Sequence, residues 1–213
     1  MAAGRRSAYL EAAEAAASLL ADARVRARWG EPSALAGMSV GALAAHLARQ
    51  VVLVPVALAE PRGDAEPVAV DEHYARAAWV GRDAEDEANV AIARTASGES
   101  AAGPDATLAR VTDTLVVLRT GLAAEPADRQ VRPPWLTCAL TLDDFLLTRM
   151  LEIAVHVDDL AVSIDAPTPD LPVEVTEPVL ALLTRLAARR HGAVAVLRAL
   201  SRRERAPETI SAL

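Results

Sequence analysis

The sequence predicts an all-α protein: a helical bundle followed by a short, mostly helical C-terminal extension. Hydrophobic residues make up 52% of the 213 residues, but aromatic residues only 3%. Much of the apolar fraction is alanine, the strongest helix former, and strand-favouring residues are few apart from valine. Long segments repeat apolar residues at the three- and four-residue spacing of an amphipathic helix. A chain of this length can build one sizeable core.

Apolar periodicity and capping residues define the helices in order. The predicted helices cover residues 7–28, 39–59, 71–80, 85–96, 105–123, 141–164, 177–190 and 193–203. Pro61 and Gly63 predict a loop, and the composition of residues 98–104 predicts a turn. Ser39 caps the second helix, which is expected to bend at Pro55 because proline has no backbone N–H. Thr141 and Asp144 form a capping box that opens the sixth. We find no convincing strand and expect any sheet to be a small piece after Asp165.

A cluster of prolines divides the chain into two parts. Pro167, Pro169 and Pro172 follow the sixth predicted helix closely and end it. We therefore assign residues 1–165 to a helical bundle and residues 166–213 to a helical extension packed on that bundle.

Charge and cysteine content exclude several classes of function. A formal net charge of -7 argues against nucleic-acid binding, which needs a basic surface. The single cysteine, Cys138, excludes an internal disulfide and multi-cysteine zinc motifs, and it fits a reducing cytoplasm. Glutamates interrupt the N-terminal apolar run, unlike in a signal peptide, and the most apolar run, residues 51–59, is too short to span a bilayer. We expect a cytoplasmic protein that binds neither nucleic acid nor membrane; the sequence leaves a homodimer open.

A narrow polar stripe on the predicted helix 141–164 is the most informative feature of the sequence. Arg149, Glu152, His156 and Asp159 fall within roughly a quarter of the helix circumference, and nearly all of the remaining surface is apolar. The stripe is either the solvent-facing edge of the helix or a set of groups facing a cavity inside the bundle. Because buried charges are costly unless they are paired or bind metal, the second interpretation favours one ion bound by Glu152 and His156.

A third ligand is expected from another helix, and His46 is the best candidate. His46 lies in mid-helix among alanine and leucine residues, and its alternative is a core histidine with a hydrogen-bonding partner. His73 is interpreted as a surface or pocket-rim residue, and His191, which follows two arginines at a helix end, as structural. Cys138 has no activating base beside it in the sequence and is interpreted as a buried or incidental thiol.

Two segments resemble the signatures of one known family. The first begins at Trp29 and includes LAGMSVGALAAHL, which ends one residue after His46; the second is TRMLEIAVHVDDL, which contains Glu152 and His156. They are similar to the second and fourth helices of the DinB-like, mycothiol-dependent maleylpyruvate isomerase N-terminal domain, and the resemblance covers about residues 7–165. It implies a DinB-like four-helix bundle in which His46, Glu152 and His156 bind a divalent metal, usually zinc.

The resemblance also implies a function and its partners. Proteins of this superfamily use a low-molecular-weight thiol, and the expected partners here are mycothiol as co-substrate and an electrophilic small molecule. The family's isomerases carry a further α/β domain, which the short helical segment after Asp165 is expected to lack. A thiol S-transferase or a maleylpyruvate-isomerase-like isomerase is therefore expected. The abundance of alanine and arginine suits an actinobacterial host, where mycothiol is the expected thiol.

The number of ligands sets the expected chemistry. Three protein ligands leave a tetrahedral zinc ion with one open position, as in catalytic sites. A thiol entering that position is deprotonated, so no catalytic group beyond the metal-bound thiol or water is expected. Two rival interpretations stay open: a non-catalytic metal-binding or stress-response module, and a metal-free helical interaction protein.

Four further residues are assigned to the substrate pocket or to the support of the ligands. They are Arg149, Asp159, Trp135 and Tyr74. Arg149 either holds an anionic group or pairs with Glu152 at a spacing of three residues. Asp159 either orients His156 or lies at the surface. The two aromatic side chains either line the mouth of a pocket or pack in the core.

Overall fold

The computed structural model describes residues 2–61, 66–126 and 128–213 and is largely α-helical, so the predicted all-α fold is confirmed. The helices are α1 (Ala2–Leu20), α2 (Ala23–Ala27), α3 (Val40–Val52), α4 (Val54–Ala59), α5 (Val70–Ala75), α6 (Glu87–Ser100), α7 (Gly103–Ala124), α8 (Leu142–Ser163), α9 (Val173–His191) and α10 (Ala193–Ser201). A 3-10 turn follows at Arg203–Arg205. Gly63, where the sequence predicts a loop together with Pro61, lies outside the described residues.

Four long helices form the bundle that holds the core. α8 packs against α1 and α3, and α7 packs against the same two helices, so α7 and α8 lie at opposite corners of the bundle. α6 lies against α3, α9 lies against α1 and α8, and α10 packs on α9. α8 lies in the centre of the bundle, as its composition predicts, and its large apolar side chains are buried. Among them are Phe145, Leu146, Met150, Leu151 and Ile153.

The capping residues identified in the sequence begin the two helices that matter most for the site. The hydroxyl of Ser39 accepts a hydrogen bond from the backbone N–H of Ala42 at 3.1 Å, which starts α3. The hydroxyl of Thr141 accepts one from the N–H of Asp144 at 3.1 Å, which starts α8. Each bond satisfies a backbone donor that has no partner within the first turn of its helix.

Each of the first two predicted helices is divided into two helices in the structure. The first ends at Leu20, and Asp22 caps the separate short helix α2. The second does not bend at Pro55 but breaks at Leu53, and Pro55 then lies in the first turn of α4. A proline is tolerated there because the N–H that it lacks would have no helical acceptor. α6 and α7 also extend into the predicted turn at residues 98–104.

The expectation that any sheet follows Asp165 is wrong. The described residues after Asp165 contain no strand, and α9 begins at Val173. A two-stranded antiparallel sheet instead joins β1 (Gln130–Val131) to β2 (Leu140–Thr141), directly before α8. Strands of two residues are too short to show an alternating pattern, so the sequence carries no signal for them.

Within the described residues, one stretch, Val40–Ala59, is long and apolar enough to cross a membrane. It comprises α3 and α4, and 56% of it is buried inside the protein. Helices of a protein core pass the same test of length and composition, and the break at Leu53 interrupts this one. The stretch is therefore weak evidence for a membrane span.

The start of α3 is fixed by close contact between Trp29 and Gly41. A Cβ atom added at Gly41 would lie only 2.6 Å from Cε2 of the Trp29 indole. The indole N–H donates a hydrogen bond to the carbonyl oxygen of Ser100 at 3.2 Å, which links this contact to the end of α6. The backbone N–H of Gly41 also donates to the carbonyl oxygen of Trp29 at 2.8 Å. Glycine is required here because the indole occupies the space of a side chain.

We expect Gly41→Ala to destabilise the protein. Overpacking against the indole costs about 1–3 kcal/mol, which exceeds the gain of about 0.5–1 kcal/mol from replacing a helical glycine by alanine. Gly121→Ala on α7 is the matched control, because an added Cβ there meets nothing within 4 Å. Urea unfolding should show a lower free energy of unfolding for Gly41→Ala and no decrease for Gly121→Ala. Equal free energies of unfolding for the two variants would contradict the close contact.

Candidate metal centre

Three side chains on two packed helices converge inside the bundle. His46 projects from α3, and Glu152 and His156 project from α8 one turn apart. Glu152 Oε2 lies 3.3 Å from His156 Nε2 and 4.0 Å from His46 Nε2. The three ligand atoms all lie within 4.8 Å of one another, and the side chains are only 12–14% exposed. The polar stripe of α8 thus faces His46 and is not the outer edge of the helix.

This donor set fits a divalent cation. Zinc binds imidazole nitrogen and carboxylate oxygen at about 2.0–2.2 Å, which places two ligands of a tetrahedral ion about 3.4 Å apart. The separation between Glu152 Oε2 and His156 Nε2, 3.3 Å, is close to this value, whereas His46 Nε2, at 4.0 Å from Glu152 Oε2, must move closer. Two imidazoles with one carboxylate form a donor set of catalytic zinc sites, in which one position stays open.

Asp159 orients one of the imidazoles. Asp159 Oδ2 lies 3.0 Å from His156 Nδ1, one turn further along α8. Nδ1 donates its proton to this carboxylate, so Nε2 is the nitrogen that faces Glu152 and His46. This carboxylate–histidine pairing is the usual support of a metal-binding imidazole. The sequence left Asp159 either beside His156 or at the surface, and in the structure it contacts His156.

Burial and the neighbouring charges set the protonation of the three groups. Burial opposes the charge on Glu152, but the hydrogen bond with His156 and the nearby positive charges lower its pKa to about 2. Burial lowers the pKa of His46 to about 4, so this ring is neutral at pH 7. Burial also opposes the charge on His156, yet hydrogen bonds with Asp159 and Glu152 raise its pKa to about 9. A metal ion must therefore displace one proton, from His156.

Arg149 is held by α3 and not by Glu152. Its guanidinium donates a hydrogen bond of 2.6 Å to Gln50 Oε1, and the side-chain amide of Gln50 donates to the carbonyl oxygen of His46 at 3.0 Å. Among the described residues, Arg149 forms no ion pair with Glu152 at contact distance. The pairing at a spacing of three residues, one alternative from the sequence, is therefore not formed. Arg149 and His46 are positioned by the same glutamine.

A cavity of about 870 Å³ adjoins the three candidate ligands. Its wall includes all of the residues assigned to the site from the sequence: His46, Glu152, His156, Arg149, Asp159, Trp135 and Tyr74. Trp135 is 39% exposed and lies at the mouth, whereas Tyr74 is fully buried, so it lines the cavity and packs in the core at once. His73 also lines the cavity, in keeping with its interpretation as a pocket residue.

Several polar residues of the cavity wall were missed by the sequence analysis. They are Arg49, Gln50, Arg82, Asn89, Arg94 and Ser97. A signal existed for Arg49 and Gln50, which follow His46 by three and four residues and so share its face of α3. The others lie on or just before α6, where no polar stripe marks one face. Leu213, from the far end of the chain, also reaches the cavity.

Cys138 has a basic neighbour that its sequence context does not reveal. The Cys138 sulfur lies 3.8 Å from His73 Nδ1, although the two residues are 65 positions apart. Cys138 itself is 6% exposed and is not part of the cavity wall, in keeping with its interpretation as a buried thiol. His191 contacts the carbonyl oxygen of Ser211 at 2.8 Å and lies outside the cavity wall.

Comparison with known protein families agrees with the resemblance noted in the sequence. Residues 9–161 match the family described as the mycothiol maleylpyruvate isomerase N-terminal domain. The matched region includes all three candidate ligands. No curated protein and no solved structure matches the chain.

We expect the binding of Zn²⁺ at pH 7 to release about one proton per chain, because a metal-binding imidazole must be deprotonated. Affinity should rise by about tenfold per pH unit until the pH reaches the raised pKa of His156, about 9. Titration calorimetry in buffers of different ionisation enthalpy measures the protons released.

Asp159→Asn should lower the pKa of His156, so that fewer protons are released, and should weaken zinc binding by about 10–100-fold. Asp158→Asn is the matched control, since the neighbouring carboxylate is exposed and accepts a hydrogen bond from Thr168. Zinc binding without proton release at pH 7 would contradict the assigned charges.

Proposed function

We propose a function from the premise that this chain belongs to the mycothiol maleylpyruvate isomerase N-terminal domain family. It is a metal-dependent enzyme that uses a low-molecular-weight thiol, mycothiol by its family, as an S-transferase on an electrophilic small molecule. The observation that carries this proposal is the convergence of His46, Glu152 and His156 within 4.8 Å, beside a cavity of about 870 Å³. These residues hold the ion, and the cavity holds both reactants.

The charge of the site favours a thiolate. When bound, a divalent ion, zinc by its donor set, lowers the pKa of a coordinated thiol and makes its sulfur nucleophilic near neutral pH. Glu152 contributes one negative charge, and the two imidazoles are neutral once His156 has lost its proton. The ion and its three protein ligands then carry a net charge of one positive unit, which an anionic sulfur neutralises.

The cavity wall binds and orients the reactants. Arg149 is held in place by Gln50, and its charge suits an anionic group on the thiol or the electrophile. Trp135 covers apolar parts of a reactant at the mouth of the cavity.

Among the described residues that line this cavity there is no cysteine. Cys138 is the single cysteine, and it is 6% exposed and outside the wall. A thiol supplied from solution therefore fits the site better than a protein nucleophile. The candidate ligands among the described residues number three, which disfavours a purely structural metal site closed by a fourth protein ligand.

Two further functions remain as alternatives. A maleylpyruvate-isomerase-like reaction would add and then eliminate the thiol, so it would proceed without net thiol consumption. A non-catalytic metal-binding or stress-response module would bind the ion without turnover. Mass balance on the thiol separates the first alternative from the transferase, and the spectroscopic experiment below separates the second.

The same proposal divides the chain into a bundle and a C-terminal extension. Residues 166–213 form an extension that rests on the bundle formed by residues 1–165, through the contacts of α9 with α1 and α8. The extension supplies Leu213 to the cavity wall. The cytoplasm, which is reducing, is the compartment in which an enzyme that uses a small thiol would work.

The purified protein should bind close to one divalent ion per chain. His46→Ala, Glu152→Ala and His156→Ala should each weaken binding by more than about 100-fold, beyond the effect of losing a supporting carboxylate. Metal analysis after dialysis measures the loss. His73→Ala and His191→Ala are matched histidine controls and should keep the metal. If a control loses the ion while His46→Ala retains it, the ligand assignment is wrong.

Replacing zinc by cobalt makes thiol binding visible. We expect mycothiol to produce a sulfur-to-metal charge-transfer band in the cobalt protein, because sulfur enters the open position, and Glu152→Ala to abolish the band. A mycothiol analogue with a hydroxyl in place of the thiol is the control ligand. Turnover of monobromobimane, a generic electrophile, above its uncatalysed reaction with the thiol should need the metal. A loaded protein with no spectral response to saturating thiol would leave only the binding module.

A further inference from the structure

One histidine of the cavity wall has no part in metal binding. His73, on α5, lines the same cavity as the three candidate ligands. Its Nδ1 faces the Cys138 sulfur at 3.8 Å, and Cys138 lies outside the cavity wall. Because the two nitrogens of an imidazole point in widely different directions, Nε2 is the nitrogen that remains for the cavity. Among the described residues, Nε2 has no hydrogen-bond partner.

The surroundings of His73 keep its ring neutral and limit its rotation. Burial, followed by the positive charge of Arg149, lowers the pKa of His73 to about 4, so the ring is neutral at pH 7. A thiol donates through its S–H, and a neutral imidazole accepts at the nitrogen that carries no hydrogen. With the Cys138 S–H as the donor, the ring proton lies on Nε2; with Nδ1–H as the donor to the sulfur, it would lie on Nδ1. Tyr74 packs edge-on against the ring, with centroids 5.2 Å apart, and limits its rotation.

We propose that His73 is a catalytic residue whose Nε2–H donates a hydrogen bond to an acceptor oxygen of the electrophile, and that Cys138 is a positioning residue that holds the imidazole in this tautomer. This inference rests on the proposed thiol-transferase function and adds to it the group that binds the acceptor oxygen of a carbonyl-activated electrophile. It also assigns a role to a buried thiol that is not itself a nucleophile.

The chemistry balances without any further reactant. The sulfur of the thiolate forms a bond to the alkene carbon of a conjugated carbonyl compound, and the π electron pair of the alkene moves towards the carbonyl oxygen. Negative charge thus develops on that oxygen, and the Nε2–H donor stabilises it while keeping its own proton. A proton from water then completes the neighbouring carbon. The product is the sum of thiol and electrophile.

The first test needs neither metal nor substrate. Nitrogen-15 NMR of histidine-labelled protein distinguishes the two neutral tautomers and the charged ring. We expect His73 at pH 7.5 to be neutral with its proton on Nε2, Cys138→Ala to give a mixture of tautomers, and Cys138→Ser to restore the Nε2–H form. A charged ring, or a proton on Nδ1 in the unsubstituted protein, would overturn the proposal.

The second test compares two electrophiles in the zinc-loaded protein with mycothiol. N-ethylmaleimide carries acceptor carbonyls, whereas benzyl chloride carries no oxygen. His73→Phe should lower kcat/KM for N-ethylmaleimide by about 10–100-fold, the scale of losing one preorganised donor or somewhat less, and change that for benzyl chloride by less than about threefold. His73→Gln, which keeps an N–H donor at a similar reach, should recover most of the loss. His191→Phe is the matched control and should change neither.

Equal effects of His73→Phe on both electrophiles, or no effect on either, would overturn the proposal. Binding of N-ethylsuccinimide, a saturated and unreactive analogue, gives a measure that is independent of turnover. Calorimetry should show weaker binding by about five- to tenfold in His73→Phe, as expected for one lost hydrogen bond. If the unsubstituted protein gives no thiol response, the proposed function fails. The role of His73 is then tested by the binding of N-ethylsuccinimide alone. Equal affinities of the unsubstituted protein and His73→Phe would overturn that role.

Discussion

The contact between α3 and α8 is the constraint on which the rest of the site depends. It brings His46 to Glu152 and His156 in the centre of a bundle whose core is largely apolar. Burying a carboxylate there costs several kcal/mol unless partners compensate it. The compensation is specific: two imidazoles face Glu152, and Asp159 supports one of them. A shift of one helix along the other would separate these groups, so packing and site geometry are a single requirement.

Other elements serve this contact by fixing its ends. The Ser39 cap and the Trp29–Gly41 contact set where α3 begins, and His46 follows less than two turns later. The Thr141 cap sets the start of α8, directly after the small sheet. Gln50 then joins the two helices through Arg149. The cavity is lined from outside the bundle by α5, α6 and Leu213.

The parts of this structure that follow local rules could be predicted from the sequence. Helix periodicity, the caps at Ser39 and Thr141, and the one-turn spacing of Glu152 and His156 depend on neighbours in the chain. Linking His46 to that pair needed the family resemblance as well, because no local rule relates α3 to α8. The two-residue strands were beyond reach, because so few residues show no period. The contact of Cys138 with His73 depends on tertiary packing across 65 positions, which a single sequence does not encode in any visible pattern.

The placement of the tryptophans gives the molecule an optical property. Two of the three, Trp79 and Trp135, line the cavity, whereas Trp29 lies against α3 and is bonded to the end of α6. An occupant of the cavity changes the surroundings of the first two indoles and leaves the third untouched, whereas loss of the fold alters all three. Intrinsic fluorescence thus distinguishes filling of the cavity from unfolding, without any added label.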